Sequence, residues 1–295
     1  MLREIPWTFL RGFCMGAADV VPGVSGGTIA LLLGIYGRLV ASVRAGSSAL
    51  GHLTRLGGTD TRAWLRRVEW LFVLPLAFGI VTAIFVLAGV IEGLLHRRPV
   101  EMAAVFSGLV AASVVVAWGM VRSRDTRRVV IMVLTAGATF VVLGLGGEES
   151  AAVADPNLWF LYASGALAAC AMILPGISGS FVLVLLGVYA PVLAAVDDRD
   201  LVVVGVVAAG AITGLALFSQ VLDRALHRHH DSMVAALTGL MLGSFRVLWP
   251  WPDGLESTAL GAPDEVVGLS LVLGAVAFAL VLVLARVSRQ TEAGT

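Results

Sequence analysis

The chain has 295 residues, of which 58% are hydrophobic and only 14% are charged, and its mean hydropathy is +0.94. A soluble domain carries about 25% charged residues, so this composition excludes an ordinary soluble protein and indicates a membrane protein. The formal net charge is zero, which gives no electrostatic reason to expect a nucleic-acid partner.

The apolar residues are gathered in long, continuous runs. A transmembrane β-barrel would instead show alternating strands of about ten residues. Because lipid offers no partners to free backbone groups, each spanning element should be helical, and we predict an all-α polytopic membrane protein. The runs lie at 8–36, 69–95, 100–121, 129–146, 158–190, 201–223, 231–249 and 266–286.

One fifteen-residue motif occurs twice in the chain. PGVSGGTIALLLGIY at residues 22–36 returns as PGISGSFVLVLLGVY at residues 175–189, an offset of 153. The chain therefore divides into two repeats, residues 1–150 and 151–295, each with four apolar segments. Further matches follow at an offset of 131: Thr82 with Thr213, Glu92 with Asp223, His96-Arg97 with His227-Arg228, Met102 with Met233, Gly108 with Gly239 and Trp118 with Trp249. The change of offset falls in a polar, Arg-rich loop predicted near 37–68.

The arginines predict how the repeats lie in the membrane, because cytoplasmic loops are enriched in positive charge. If all eight segments spanned, 8 arginines would lie inside and 11 outside. If 8–36 and 158–190 each enter and leave on the same side, 16 lie inside and three outside. We therefore predict two re-entrant helical hairpins and six spans, with both termini cytoplasmic. The second repeat follows an odd number of spans, so the two repeats should be inverted.

The length of segment 8–36 supports a break within it. As one helix it would reach about 43 Å, beyond the hydrocarbon core of about 30 Å. Pro22 disfavours helix at the residue before it, Gly23 supplies freedom at a turn, and Ser25 is placed to cap the returning limb, predicted to be about 20 Å long. The alternative is that each Pro-Gly motif only kinks a tilted spanning helix.

Residues 22–28 form the predicted first tip, and residues 175–181 form the second tip. A helix start leaves backbone N–H groups unpaired and carries partial positive charge, which suits a phosphate or carboxylate. The alternative is that the glycines serve only close helix packing. The predicted ligand-binding residues are Pro22, Gly23, Ser25, Gly26, Gly27 and Thr28 in the first tip, and Pro175, Gly176, Ser178, Gly179 and Ser180 in the second.

Two charged residues lie within apolar segments and lack a charged counterpart in the other repeat. Asp19 matches Met172, and Arg246 matches Val115. Charges inside a membrane are costly and often functional. Asp19 is a candidate for a coupling proton or for pairing with Arg246, and otherwise a carboxyl that fixes the tip. Arg246 is a candidate phosphate ligand, or otherwise a side chain that reaches the interface beside Trp249.

The remaining reactive residues predict no cofactor and no metal. The two cysteines, Cys14 and Cys170, lie in apolar runs and are expected to be small core residues. The histidines at 227, 229 and 230 are expected in a solvated turn, and all 20 cationic residues are arginines. The start of the chain lacks the pattern of a cleaved signal peptide, so we expect none.

Three stretches resemble the PopT family of bacterial polyprenyl-phosphate translocases: GAADVVPGVSGGTIALLLGIY, ILPGISGSFVLVLLGVY and GLMLGSFRVLWPW. The resemblance covers residues 8–285 or so. It implies a flippase that returns undecaprenyl phosphate, the carrier lipid of cell-wall precursors, from the outer to the inner leaflet of the cytoplasmic membrane. The family pattern falls on both tips, on Asp19 and on Gly16, and the length of the carrier stays open.

The residues themselves predict an anion site between inverted repeats, and only the resemblance supplies the lipid. The leading hypothesis is a polyprenyl-phosphate translocase, coupled through Asp19 to H⁺ or Na⁺. The alternative is a transporter or channel for a small anion such as phosphate. An intramembrane enzyme is disfavoured, because the apolar segments hold no histidine and no paired acids at metal-ligand spacing.

Overall fold

The computed structural model describes residues 4–20, 25–54, 68–144, 153, 156–252, 254, 260–263 and 266–293. Within these residues the secondary structure is helical. The helices are α1 (Ile5–Asp19), α2 (Gly26–Leu32), α3 (Tyr36–Thr54), α4 (Trp70–Arg97), α5 (Pro99–Met120), α6 (Thr126–Gly144), α7 (Leu158–Ile173), α8 (Gly179–Leu185), α9 (Tyr189–Asp197), α10 (Leu201–Arg228), α11 (His230–Gly243), α12 (Phe245–Leu248) and α13 (Val267–Ala293).

The prediction of an all-α polytopic membrane protein is confirmed. Five helices of the described part are long and apolar enough to cross a membrane, or six if the bent pair α8 and α9 counts as one span. The two helices of that pair meet at 111°. Many large apolar side chains of α4, α6, α10 and α13 are exposed, as expected of helices that face lipid.

Glycines allow the closest helix contacts, and matching positions of the two repeats make matching contacts. A Cβ on Gly12 of α1 would lie 2.1 Å from the carbonyl oxygen of Leu76 in α4. At the equivalent place, a Cβ on Gly165 of α7 would lie 2.3 Å from the carbonyl oxygen of Val207 in α10. No larger residue fits at such a crossing, so the pairs α1–α4 and α7–α10 are packed backbone to backbone.

Pairs of helices from opposite halves complete the structure. Helix α5 packs on α13 and α11 packs on α6, while α5 and α11 also contact each other. Helix α3 lies along α10. The buried core gathers around the first motif, with Ile29, Leu31, Ile35 and Tyr36 among its members. The first motif is therefore the packed centre of the described structure.

Both motifs continue beyond the break in the same way, and the predicted length of the returning limb needs correction. The returning limbs α2 and α8 have only seven residues each, about 10 Å rather than the expected 20 Å. Each ends at a glycine with positive φ, Gly34 at 71° and Gly187 at 68°. The N–H of the next residue reaches back to a carbonyl five residues earlier, at 2.9 Å for Ile35 and 3.0 Å for Val188, which is the Schellman pattern.

Two further predictions were wrong in detail. Residues 37–54, expected as part of a polar loop, are helical in α3, because the Schellman turn redirects the chain and small residues of α3 pack against α10. Ser42 and Ala45 are buried there. Cys14 and Cys170 are free, but Cys14 is exposed rather than part of the core.

Candidate functional site

The described part of the first tip, residues 25–28, is closed by hydrogen bonds within the protein. Ser25 is the N-cap of α2, as predicted, and its Oγ accepts a hydrogen bond of 3.1 Å from the N–H of Gly27. The N–H of Gly26 donates to Oδ1 of Asp19 at 2.6 Å, and the N–H of Thr28 donates to the carbonyl of Ser25 at 2.9 Å. Three N–H groups at the start of α2, which a helix leaves unpaired, are therefore satisfied within the protein.

Asp19 thus occupies the place of an anion at the first tip. Its carboxylate lies against the start of a helix, where negative charge is stabilised, and its short bond to Gly26 is charge-assisted. A Cβ on Gly26 would lie 2.5 Å from Oδ2 of Asp19, so glycine is needed for this approach. Among the described residues, no ion pair joins Asp19 to Arg246, and the alternative that these two residues pair is wrong.

Side chains of the first motif bind the end of α7, just before the second motif. The hydroxyls of Ser25 and Tyr36 donate to the carbonyls of Met172 and Ile173, at 3.2 and 3.1 Å. These carbonyls belong to the last turn of α7, which has no helical partners for them. The first motif is therefore bonded to the helix that leads into the second motif.

The two motifs are also bonded to each other directly, and here the donor lies in the second motif. The N–H of Gly176 in the second motif donates to Oγ1 of Thr28 at 3.0 Å. Thr28 is fully buried, so this hydroxyl is available to the protein and not to a ligand.

The second tip is open where the first is closed. Ser178 holds the N-cap position of α8, but its side chain makes no capping bond. Its Oγ instead lies 2.8 Å from Oγ of Ser180. Within the described part, the N–H groups of Gly179 and Ser180 have no partner like those of the first tip. The residue equivalent to Asp19 is Met172, which is 53% exposed, so no acid neutralises this tip.

A cavity of about 370 Å³ lies between the two tips. Its polar lining comes from Asp19 and Ser25 on one side and from Ser178, Gly179 and Ser180 on the other. The rest of its wall is apolar and is provided largely by α7 and α10. Volumes of this size hold small ligands or part of a larger one. The cavity presents hydroxyl and N–H donors at one end and an apolar wall at the other.

The other predicted site residues lie elsewhere. Pro22 and Gly23 fall outside the described residues. Arg246 belongs to α12, and its guanidinium lies 5.0 Å from the centre of the Phe140 ring in α6. Its Nε is buried and has no hydrogen-bond partner among the described residues. Arg246 therefore does not line the cavity between the tips. Gly26, Gly27, Pro175 and Gly176 are buried within the tips and do not line the cavity.

The part played by Tyr36 is not evident from the sequence. The tyrosine recurs in both motifs, which was the available signal, but only the structure shows that Tyr36 is buried and bonded to α7 whereas Tyr189 is exposed. The asymmetry between Asp19 and Met172 was visible in the sequence. Its meaning depends on the bond from Gly26, which spacing alone does not show.

Comparison with known proteins identifies the family of the chain. Residues 15–263 match the VCA0040-like family, described as undecaprenyl phosphate translocase-like. A protein of Vibrio cholerae serotype O1 named polyprenyl-phosphate transporter is 40% identical over 260 residues, covering 88% of this chain and 82% of that protein. One of the same name from Staphylococcus aureus is 29% identical over 308 residues, covering 99% of this chain and all of that protein.

No solved structure matches the chain. The resemblance drawn from the motifs is confirmed, and the matched proteins are transporters rather than enzymes. The chain is a helical membrane transporter, and it belongs to the undecaprenyl phosphate translocase-like family.

Proposed function

We propose that this protein carries polyprenyl phosphate across the bacterial cytoplasmic membrane and binds the phosphate at the second tip. The transport of polyprenyl phosphate is supported by the names of the two relatives. Undecaprenyl phosphate is the proposed carrier, in keeping with the family description. The proposed direction is from the outer to the inner leaflet, which returns the carrier to the side where it is loaded.

The difference between Asp19 and Met172 is the observation that carries the proposal. The same turn occurs twice, and in the first copy a carboxylate of the protein fills the anion position at 2.6 Å from Gly26. The second copy keeps the serine and the glycine after it, Ser178 and Gly179, but has a methionine where the acid would be. A turn built to hold an anion and left without one favours an external anion.

The cavity suits a phosphate that carries a lipid chain better than a free ion. The hydroxyls of Ser178 and Ser180 share one hydrogen bond, so one O–H remains to donate to a phosphate oxygen. The apolar wall formed by Gly165, Ala168 and Leu183 has no group that would bind a second charged oxygen. It is suited instead to the first isoprene units, while the rest of the chain stays in the bilayer.

The proposed architecture is a pair of inverted repeats, residues 1–150 and 151–295, with re-entrant hairpins at 8–36 and 158–190 and both termini in the cytoplasm. The matching contacts of Gly12 and Gly165 support the repeat, and the distribution of arginine supports the inversion. In such transporters the substrate binds near the middle of the bilayer, where the repeats meet.

Asp19 is the proposed coupling residue. It lines the same cavity as Ser178 and Ser180, and its negative charge opposes a phosphate held there. Binding a proton, or a cation such as Na⁺, would remove that repulsion and weaken the bond to Gly26. The energy of an ion gradient could in this way be linked to the occupancy of the site.

The experiment compares two ligands and two variants. Purified protein in nanodiscs is titrated with polyprenyl phosphate and, separately, with inorganic phosphate. We expect tight binding of the lipid, and a loss of about tenfold in Ser178→Ala/Ser180→Ala, since each lost hydrogen bond to a charged group costs about 1.5–3 kcal/mol. Ser113→Ala, a buried serine that bonds within its own helix α5, is the control.

Two results would overturn the proposal. Inorganic phosphate bound as tightly as the lipid would favour a small-anion transporter. Unchanged lipid binding in Ser178→Ala/Ser180→Ala would remove the second tip as the phosphate site.

A further inference from the structure

Helices α3 and α10 bring a cluster of basic side chains to the end of α10, away from the tips. Arg44, Arg224, His227 and Arg228 line an open cavity of about 430 Å³ together with Asp223. Arg44 comes from α3, and the others come from the last two turns of α10. Positions 224, 227 and 228 lie on one helical face, so the three side chains project toward the same space.

The single acid in this cavity is already neutralised. The side chain of Asp223 is only 5% exposed, and it forms an ion pair with Nη1 of Arg44. Nδ1 of His227 lies 2.8 Å from the carbonyl oxygen of Asp223, which leaves the exposed Nε2 edge of the ring toward solvent. The described residues provide no ion-pair partner for Arg224 or Arg228. The cavity therefore keeps an excess of positive charge.

The equivalent helix of the first repeat, α4, shows which of these basic residues are needed to end the helix. At the end of α4, His96 and Arg97 take the places of His227 and Arg228, and His96 makes the same bond, 2.9 Å, to the carbonyl of Glu92. That shared pair is explained by basic residues favouring a helix C-terminus. Arg224, however, is matched by Gly93, so its charge is not needed to end the helix.

Comparing the two repeats also indicates that the fold does not require a positive charge at the position of Arg44. Counting eight residues on from the matching tyrosines, Tyr36 and Tyr189, Arg44 is matched by Asp197. The sign of the charge is thus reversed between equivalent positions. Arg44 and Arg224 therefore have no arginine counterpart in the other repeat, and both line this cavity.

This cluster lies near the end of α2 that points away from the first tip. A smaller cavity of about 210 Å³ has Leu31, Gly34 and Tyr36 on one side and His227 and His230 on the other. His227 is common to both cavities. Tyr36 in turn donates to α7 at the tips, so a chain of contacts connects the basic cluster with the proposed substrate site.

We propose that Arg44, Arg224, His227 and Arg228 form a second anion site, which receives a phosphate monoester at the cytoplasmic end of the transport path. This rests on the proposed function for its place in that path, since the arginine distribution puts these residues on the cytoplasmic side. Arginine suits the ligand because its planar group donates two parallel hydrogen bonds to phosphate oxygens. A monoester carries more negative charge than the phosphodiester of an ordinary phospholipid, and the excess of cations favours it.

The experiment isolates this site from the tips. Full-length protein carrying Ser178→Ala/Ser180→Ala, in nanodiscs of zwitterionic phosphatidylcholine, is titrated with a short-chain prenyl phosphate, with inorganic phosphate and with phosphatidylglycerol. The same titrations are run after adding Arg224→Gln/Arg228→Gln. The matched control is Arg97→Gln/Arg98→Gln, which removes two exposed arginines from the equivalent end of α4.

We expect Arg224→Gln/Arg228→Gln to weaken prenyl phosphate binding by about tenfold, and the control to change it by less than about twofold. Prenyl phosphate bound more tightly than inorganic phosphate identifies the lipid as the source of the headgroup, and equal binding identifies free phosphate. Either result supports the anion site.

Two results would overturn the inference. Unchanged binding after Arg224→Gln/Arg228→Gln would show that the cluster holds no phosphate. Phosphatidylglycerol bound as tightly as the monoester would reduce the cluster to a general anchor for anionic lipid. Failure of the tips would look different, because it would leave the effect of the arginine substitutions in place.

Discussion

The carboxylate of Asp19 accepts a hydrogen bond of 2.6 Å from the main-chain N–H of Gly26 and so fills the anion position of the first tip. The same turn in the second repeat has Met172 in place of the acid. In the described part, the N–H groups of the first tip are therefore paired within the protein, whereas the second tip faces a cavity with N–H donors that no described residue pairs. This single difference turns a symmetrical pair of motifs into one structural turn and one proposed binding turn.

Asp19→Asn tests the coupling role of this residue. The amide oxygen of Asn can still accept the bond from Gly26, so the tip should keep its fold, but the side chain no longer binds a proton. We expect transport of polyprenyl phosphate into proteoliposomes to fall about tenfold, equivalent to about 1.4 kcal/mol, and to lose its response to a pH gradient. Equilibrium binding of the lipid should be as tight as in the parent protein or tighter, because the repulsion between Asp19 and the phosphate is removed. A variant that keeps both the rate and the pH response would refute the coupling role.

Thr28→Val tests the contact between the two motifs. Valine has nearly the same shape but cannot accept the bond from the N–H of Gly176, which would be left buried and unpaired. We expect a loss of about 1–3 kcal/mol in stability, measured by chemical or thermal unfolding in detergent. Thr82→Val is the control, because Thr82 is only partly buried and its hydroxyl donates to Phe78 within its own helix. Equal stability of the two variants would argue against the contact.

Gly187→Ala tests the turn after the second tip. Gly187 has a φ of 68°, a conformation that costs an alanine about 1–2 kcal/mol. We expect thermal unfolding at lower temperature than the parent protein. Gly37→Ala should be neutral or stabilising, since a Cβ there meets no atom within 4 Å and alanine favours helix. A Gly187→Ala protein as stable as the parent would contradict the Schellman turn.

The sequence predicted the helical class and the capping role of Ser25, because both depend on local patterns of apolar residues and turn residues. It did not predict the short limbs, since the glycines of LLGIY and LLGVY can equally lie within a helix. The division of labour between the tips depends on where Asp19 points. That direction is fixed by packing, for example by the Gly12 and Leu76 crossing of α1 on α4, which spacing does not reveal.

Arg246 is a second case in which the sequence did not predict where a side chain lies. Because a charge inside the membrane is costly in free energy, an arginine within an apolar segment is a reasonable candidate ligand. The structure places it against Phe140 and Gly144, where its charge lies over an aromatic ring. The position of Arg246 in the sequence did not predict that it lies away from the tips, because this depends on how the helices pair, and α12 and the tips belong to different helix pairs.

The most direct test of the central claim is to give the second tip the acid that it lacks. Met172→Asp places a carboxylate seven residues before Gly179, as Asp19 stands before Gly26, and the Met172 Cβ lies only 3.4 Å from where a Cβ on Gly179 would be. We predict that Met172→Asp binds polyprenyl phosphate at least about tenfold more weakly, while Met172→Asn, the uncharged control, binds it nearly as well as the parent. Parent-like binding by folded Met172→Asp would contradict the account, because the phosphate could not then occupy the second tip.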